Sequence, residues 1–244
     1  DTGPLPEREL ARRAGLGWMG KNTSLINEVY GSWIFLGGMV INRKLETDSP
    51  LEADCGECDR CLKACPARAL ERPYLVNPHR CLSYLTQKKG FLSPDERVLL
   101  GNRLYGCDTC QEVCPKNANV KRTCLPDFSP GGEEKLSLEE LLLLTGKDFK
   151  NRFGHSAGAW RGKTNLQRNA IIALGNSGDP SGVFSLIPLL DQGSPVLRGH
   201  AAWALGRLGG LRAEKALNSA IEKEKEEKVR REIRSAINTI RRNS

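Results

Sequence analysis

Eight of the nine cysteines in this 244-residue chain fall into two groups whose spacing restricts how the chain can fold. The first group is Cys55-x2-Cys58-x2-Cys61-x3-Cys65-Pro66, and the second consists of Cys81 and the run Cys107-x2-Cys110-x3-Cys114-Pro115. Thiolates two residues apart on a tight loop can reach adjacent corners of an iron–sulfur cube, and in two-cluster ferredoxins the cysteine before proline ligates the other cluster. The spacing therefore predicts two 4Fe–4S clusters.

The same rule predicts which cysteines share a cluster. One cluster takes Cys55, Cys58, Cys61 and Cys114, and the other takes Cys65, Cys81, Cys107 and Cys110. Structural zinc is the alternative, but zinc sites use paired Cys-x2-Cys ribbons and not a triplet followed by Cys-Pro. Cys124 has no partner at ligand spacing and is predicted to be a plain buried or surface thiol.

The net charge and the lengths of the apolar runs limit the classes of protein to which this chain could belong. The chain has 37 Lys and Arg against 29 Asp and Glu, a net charge of +8, which favours a polyanionic partner such as nucleic acid. No apolar run approaches the roughly 18–20 residues of a membrane helix, and no signal segment opens the chain. We therefore expect a cytoplasmic protein, not a disulfide scaffold. Because residue 1 is Asp, we expect the chain to be part of a longer polypeptide.

Four regions of an α+β fold are predicted. Residues 1–50 contain a helix over 6–14 that ends at Gly15, and an apolar run over 33–41 that reads as one buried strand. Residues 51–118 form a ferredoxin-like domain. Within it, Ser93-Pro94-Asp95-Glu96 is typical of a helix start.

A connector over 119–163 follows, with a second capping box from Ser137 to Glu140. Residues 164–244 repeat themselves, because 166–175 realigns on 197–206 at an offset of 31 (197 − 166). A weaker third copy covers 229–237. Helix pairs at this period are typical of HEAT-like repeats.

Two phosphate-binding patterns are near misses. Gly15-x-Gly17-x-x-Gly20 fits a dinucleotide fingerprint, and Gly15-x4-Gly20-Lys21 nearly fits a P-loop. The glycines follow a helix instead of a strand, and Asn22 stands where a P-loop needs Ser or Thr. A tight turn with close backbone packing is the preferred interpretation.

Longer motifs carry a resemblance to a known family. They are DTGPLPER at 1–8, GWMGKNT at 17–23, CLSYLT at 81–86 and GNRLYGCD at 101–108. Together with the two cysteine groups and the repeats, they resemble epoxyqueuosine reductase nearly from end to end. Lys116 departs from the family pattern, which commonly has an aromatic residue after Cys-Pro.

The resemblance implies a cofactor set, a substrate and site residues. The family uses cobalamin and two 4Fe–4S clusters to remove the epoxide oxygen of epoxyqueuosine at the tRNA wobble base, yielding queuosine. Asp1 matches the family's proton donor and also belongs to the cobalamin site; residues 1–50 match part of its cobalamin-binding domain. The other implied corrin-lining residues are Leu25, Leu36, Ser83, Cys107 and Asp108, although Leu25 and Leu36 fit a core equally well.

Basic residues beside the clusters and at repeat starts are candidates for contacts with tRNA phosphates. They are Lys88, Lys89, Lys121, Arg122, Arg161, Lys163, Arg168 and Arg198. The expected partners are tRNA carrying epoxyqueuosine and an unidentified electron donor, with no membrane and a monomeric state. Two alternatives stay open: a reductive dehalogenase-like corrinoid enzyme, and a ferredoxin electron-transfer module with a HEAT interaction arm.

Overall fold

The computed structural model describes residues 4–126 and 137–243, which form two units. The first comprises residues 4–81 and 107–126, and the second comprises 82–106 and 137–243. The strands are β1 (Trp18–Met19), β2 (Leu25–Ile26), β3 (Leu70–Arg72) and β4 (Leu75–Val76). The helices are α1 (Glu7–Arg13), α2 (Arg60–Ala64), α3 (Leu82–Gln87), α4 (Pro94–Leu100), α5 (Thr109–Glu112), α6 (Leu138–Leu143), α7 (Gly146–Phe153), α8 (Lys163–Ser177), α9 (Gly182–Leu186), α10 (Pro195–Leu208), α11 (Gly210–Lys223) and α12 (Glu227–Asn243).

The first unit is built from short elements. Two antiparallel hairpins, β1–β2 and β3–β4, accompany α1, α2 and α5, and α2 packs against both α5 and β3. The helix predicted over 6–14 is confirmed, since α1 ends just before Gly15, whose φ of 67° suits glycine. The α+β class is likewise confirmed by this mixture of helices and small sheets.

The glycine pattern after α1 forms a tight turn, as preferred. A Cβ added at Gly17 would lie 2.3 Å from the carbonyl oxygen of Ile26, so only glycine allows β1 and β2 to approach this closely. The glycines lead from a helix into a strand, the reverse of the strand-to-helix order of a nucleotide-binding loop. The two phosphate-site alternatives are therefore unsupported by the fold.

The strand predicted over 33–41 is wrong. These residues have no regular secondary structure, and Phe35 and Val40 are 89% and 91% exposed. A strand needs a neighbour to satisfy its backbone N–H and C=O groups, and in the described part of the chain no strand runs alongside this segment. Apolar composition alone therefore predicted a strand in a segment that pairs with no other strand of the described residues.

The second unit contains the predicted repeats. Helices α8, α10 and α12 correspond to the three sequence copies, with α9 and α11 between them, and α10 packs against both α8 and α12. The recurring Ala-Leu-Gly explains the close packing: a Cβ added at Gly175 would lie 2.8 Å from Ala204 Cβ. One added at Gly206 would lie 2.7 Å from Ala236 Cβ. The repeat thus places glycine where consecutive helices meet.

The domain boundary differs from the sequence prediction. Residues 82–106, expected within the ferredoxin-like domain, pack with the repeat helices through α3 and α4, both of which contact α8. Asn169 of α8 donates to the carbonyls of Thr86 (2.8 Å) and Leu104 (2.7 Å). Buried polar groups need partners, and this segment supplies them to α8.

Both predicted capping boxes are present. At α4 the Ser93 hydroxyl accepts the Glu96 N–H (3.3 Å), while the Glu96 carboxylate accepts the Ser93 N–H (2.8 Å). Ser137 and Glu140 repeat this arrangement at α6. Each box satisfies backbone donors that a helix start leaves unpaired. Among the helices of the described residues, none has the length and apolar character of a membrane span.

Replacing Gly206 with Ala is expected to destabilise the second unit. The new Cβ would overlap Ala236, and overpacking of this kind costs roughly 1–3 kcal/mol, against a gain of about 1 kcal/mol in helix propensity. Chemical denaturation followed by circular dichroism measures the difference. In the control Gly146→Ala, at the first residue of α7, the added Cβ meets nothing within 4 Å. A Gly206→Ala protein as stable as the control would contradict the packing account.

Candidate metal centre

All eight clustered cysteines belong to the first unit and are partly buried free thiols. Cys55 and Cys58 lie on the loop before α2, Cys61 lies in α2, and Cys65 follows it. Cys107 and Cys110 lie at the start of α5, and Cys114 precedes a short 3-10 helix, Pro115–Asn117. Because α2 packs against α5, the two runs of cysteines come from elements in direct contact.

The loop before α2 is shaped by local hydrogen bonds. Gly56, between the first two cysteines, has a φ of 52°, and its N–H donates to the Asp54 carboxylate (2.7 Å). The Cys58 N–H donates to the Cys55 carbonyl (3.3 Å), which closes a tight turn. The side chain of Lys21 reaches this loop from the β1–β2 turn and donates to the Gly56 carbonyl (2.5 Å).

The causes that raise the pKa of a thiol indicate which other thiols lie near it. Burial is the largest cause that raises the pKa of the Cys61 thiol, and the negative charges of Cys55 and Cys114 raise it further. Cys55, Cys61 and Cys114 are three of the four ligands that the sequence rule assigns to one cluster. The thiolate of Cys114, from the second run, is thus close enough to influence a thiol of the first.

Cys110 is the most strongly affected thiol. Burial raises its pKa to about 12, and the charges of Cys107, Cys61, Cys81 and Cys65 act in the same direction. Three of these four belong with Cys110 in the second predicted set. Ligation through this sulfur would require loss of its proton, and the positive charge of a bound metal would offset that cost.

Sulfur also accepts hydrogen bonds. The Ala69 N–H donates to Cys65 Sγ (3.2 Å), and Cys107 Sγ lies 3.6 Å from the Thr109 hydroxyl. Hydrogen bonds to the ligating sulfurs are a known determinant of cluster potential. The sequence analysis missed both contacts, since neither residue lies within the cysteine spacing itself.

The thiols are not gathered around a single point. Within residues 4–126 and 137–243, no three Cys, His, Asp or Glu side chains converge closely enough to hold one metal ion. A cuboidal cluster does not need such convergence, because each of its iron atoms takes one thiolate. The donor set is therefore chemically suited to iron–sulfur clusters. Cys124 is exposed, so of the two predicted alternatives, a buried or a surface thiol, it is the surface one.

The implied corrin-lining residues are in diverse environments. Leu25 is 3% exposed in β2, where its alternative role as a core residue is favoured. Leu36 is partly buried in the irregular run 33–41, and the exposed Asp108 accepts from the Gln111 amide (2.7 Å). Ser83 lies in α3 of the second unit. Asp1, the implied proton donor, lies outside the described residues.

Arg168 is wrong as a phosphate contact. It is fully buried in α8, and its guanidinium donates to the carbonyls of Leu85, Thr86, Lys88 and Gly90 and to the Asn169 side chain. Burial lowers its pKa to about 10, a cost that these five acceptors offset. Its role is to hold the segment after α3 against the repeat helices.

The other basic candidates differ in whether the side chain already has an ion pair or hydrogen bond within the protein. Arg198 stays a prediction, but its guanidinium already forms a two-pronged ion pair with Glu224 (2.6 and 2.9 Å). Lys88 pairs with Glu96 (2.5 Å), and Lys163 donates to the Leu144 carbonyl (3.1 Å). The exposed candidates are Lys89, Lys121, Arg122 and Arg161.

Two protein families match parts of the chain. The 4Fe-4S double cluster binding domain matches residues 54–117, and HEAT repeats match residues 161–238. The first match supports iron–sulfur binding by the cysteine groups, and the second confirms the predicted repeats.

Relatives match almost the whole chain. Epoxyqueuosine reductase from Bacillus subtilis is 44% identical over 243 residues, which is 99% of this chain and 63% of that protein. The Listeria monocytogenes enzyme of that name is 46% identical over 235 residues, or 96% of this chain and 62% of the relative. A crystal structure of epoxyqueuosine reductase with a tRNA-Tyr epoxyqueuosine-modified stem loop superposes with a TM-score of 0.95 at 44% identity. That match covers 99% of this chain and 65% of the other, so the chain spans a little under two thirds of these relatives.

Replacing Cys58 with Ser is expected to remove one cluster. A protein with two 4Fe–4S clusters carries about eight irons, and loss of a thiolate ligand should reduce iron and acid-labile sulfide toward half. Elemental analysis after anaerobic purification measures both. Cys124→Ser is the matched control and should keep the wild-type content. Zinc in place of iron in the wild-type protein would contradict the cluster assignment.

Proposed function

The chain belongs to the epoxyqueuosine reductase family, and we propose that it takes part in reducing epoxyqueuosine to queuosine at the wobble position of tRNA anticodons. The observation that carries this is the 44% identity over 99% of the chain, joined to a TM-score of 0.95 with the reductase crystallised on a modified stem loop. No feature of the described residues favours a dehalogenase-like enzyme. A separate ferredoxin module is disfavoured because the family match continues through both units.

We assign the eight cysteines to two 4Fe–4S clusters in the sets given by the sequence rule. Cys114 raises the pKa of Cys61, and Cys61, Cys81 and Cys65 raise that of Cys110. Thiols of the two runs are thus neighbours, which supports ligand exchange between the runs. Such an exchange holds two clusters close together, so that electrons could pass between them. The chain's contribution is to fix this pair within one small unit.

Cobalamin is the proposed second cofactor. A bound cobalamin would supply the reducing centre for opening the C–O bond of the epoxide. Around Leu36 the apolar run 33–41 leaves the kind of surface that a corrin ring could cover. A Cβ added at Gly37 or Gly38 would meet nothing within 4 Å, so this stretch has room for a bulky group. Ser83, Cys107 and Asp108 remain candidates from the family resemblance, and Leu25 is the weakest of the set.

Removal of the epoxide oxygen consumes protons as well as electrons. The epoxide becomes an alkene and water when two electrons and two protons are added, so an acid must protonate the departing oxygen. Asp1 is the proposed donor. For that role its carboxyl must hold a proton near neutral pH, which a desolvated environment would favour.

The substrate is tested by nucleoside analysis. Transfer RNA from cells that lack the gene is digested and examined by mass spectrometry, next to tRNA from cells in which the gene is restored. We expect epoxyqueuosine to accumulate in the deleted strain and queuosine to return on restoration. Unchanged queuosine in the deleted strain would contradict the proposal.

Replacing Asp1 with Asn in the complete protein is expected to lower turnover on an epoxyqueuosine-containing stem loop by about 10²–10⁴-fold, the usual contribution of a positioned acid. Iron and cobalamin content should stay at wild-type levels, because the substitution preserves size and removes only the acidic proton. Single-turnover product analysis measures the effect. Wild-type turnover in this variant would refute the acid role.

The exposed basic candidates define the proposed tRNA contacts. Arg161 lies 5.6 Å from the ring of the exposed Trp160, in a loop where a base could stack on the indole while the guanidinium meets phosphate. Residues 146–163 carry five Lys and Arg against a single acid, Asp148. Part of the net charge of +8 is therefore concentrated in residues 146–163.

Arg161→Ala is expected to weaken binding of the modified stem loop and to reduce the slope of log affinity against log salt by about one. Fluorescence anisotropy across a salt series measures both. Arg241→Ala is the matched control, since this exposed arginine of α12 already pairs with Glu214 (2.9 Å). Equal salt slopes for wild-type and Arg161→Ala would exclude this phosphate contact.

A further inference from the structure

Lys21 occupies a position that neither cluster ligation nor tRNA contact explains. It lies in the turn between β1 and β2, which is closed by hydrogen bonds from Gly20 N–H to Ser24 O and from Thr23 N–H to Gly20 O, each 2.8 Å. Its own carbonyl accepts the N–H of Tyr74, from the turn between β3 and β4, at 3.1 Å. The backbone of Lys21 is therefore fixed by a second hairpin turn.

The Lys21 ammonium donates to the Gly56 carbonyl at 2.5 Å. Gly56 stands between Cys55 and Cys58, and its N–H is already held by the Asp54 carboxylate. The amide N–H of this glycine is thus held by a carboxylate and its carbonyl by an ammonium. Its φ of 52° marks the sharp turn that brings the two cysteines together.

The loop that contains Cys55 and Cys58 carries more acidic than basic residues, so a nearby cation changes its electrostatics. Residues 51–65 contain four acids, Glu52, Asp54, Glu57 and Asp59, against two bases, Arg60 and Lys63. Lys63 forms an ion pair with Asp59 (2.9 Å), so its charge is already balanced. Adding an electron to a cluster adds negative charge, and a nearby cation stabilises the reduced form over the oxidised form.

We propose that Lys21 is a positioning residue that holds the Cys55–Cys58 loop and raises the reduction potential of the cluster assigned to Cys55, Cys58, Cys61 and Cys114. The proposal rests on the cluster assignment made above. It also gives a role to the Gly20-Lys21 pair that resembles a P-loop in the sequence: the lysine meets a peptide carbonyl beside an anionic metal centre in place of a nucleotide phosphate.

The test is a potentiometric titration of the complete, anaerobically purified protein, followed by electron paramagnetic resonance. Lys21→Met removes charge and donor, Lys21→Gln keeps a neutral donor, and Lys21→Arg keeps both. We expect the Met and Gln variants to lower one of two midpoint potentials. Near the wild-type midpoint, the ratio of reduced to oxidised cluster should fall about tenfold, equivalent to ~59 mV for one electron. Lys21→Arg and the control Arg241→Met, in α12 of the second unit, should stay near the wild-type value.

Each outcome decides between alternatives. Full iron content with an unchanged midpoint in Lys21→Met would overturn the proposal, as would an equal shift in Arg241→Met. If Lys21→Gln had the wild-type potential, the hydrogen bond alone would account for the effect of Lys21. That result would refute the electrostatic role. If Lys21→Met and Lys21→Gln lose half of their iron while Lys21→Arg keeps it, the fixed cation is supported; loss in all three overturns it. Absence of iron from the wild-type protein would instead defeat the cluster assignment.

Discussion

The first unit depends on bringing mutually repelling thiolates together. Burial, together with the charges of four neighbouring cysteines, raises the pKa of Cys110 to about 12, so ionisation of this thiol is disfavoured. Cluster assembly must therefore displace protons from these sulfurs, and its free energy must include that cost. Few elements oppose the repulsion that arises between these sulfurs when they ionise. Helices α2 and α5 and two short hairpins provide a small scaffold with limited apolar burial. We therefore expect that binding of iron–sulfur clusters would also stabilise the fold of this unit.

The features that local sequence determines were predicted well. Helix α1, both capping boxes and the repeat register depend on residues a few positions apart, and the repeat is reinforced because Gly175 and Gly206 occupy equivalent contacts. The run 33–41 was misread because a strand is defined by its partner, which composition does not reveal. Among the site residues, cysteine spacing predicted the ligand sets, but it could not show the Ala69 N–H on Cys65 or the reach of Lys21 to Gly56. Both contacts depend on how a residue outside the spacing pattern folds back onto the ligand loops.

The basic residues show why charge alone is a poor guide to a nucleic-acid surface. Arg168 and Arg198 both begin sequence repeats and looked equivalent, but one is enclosed by backbone carbonyls and the other is neutralised by Glu224. Arg97 is another internal cation: it is buried in α4, forms an ion pair with Glu232 of α12 and lies 5.4 Å from the Trp203 ring. His200 is also buried, and its pKa falls to about 3, chiefly through burial, so it is a neutral member of this group. Polar side chains on the repeat helices, such as Arg168 and Asn169 of α8, thus hold the segment 82–106 in place and are not free surface charges.

The order of the chain through the two units has an evolutionary consequence. The segment 82–106 leaves the cysteine-bearing unit directly after Cys81 and re-enters it at Cys107, two residues proposed as ligands of the same cluster. Part of the packing surface of the repeats is therefore encoded inside the ferredoxin motif, so the repeats do not form a separable C-terminal appendage. Recombination at a single crossover cannot exchange either half for a homologous part without separating α3 and α4 from α8. Inheritance of the two halves as one block is the outcome that this interleaving favours.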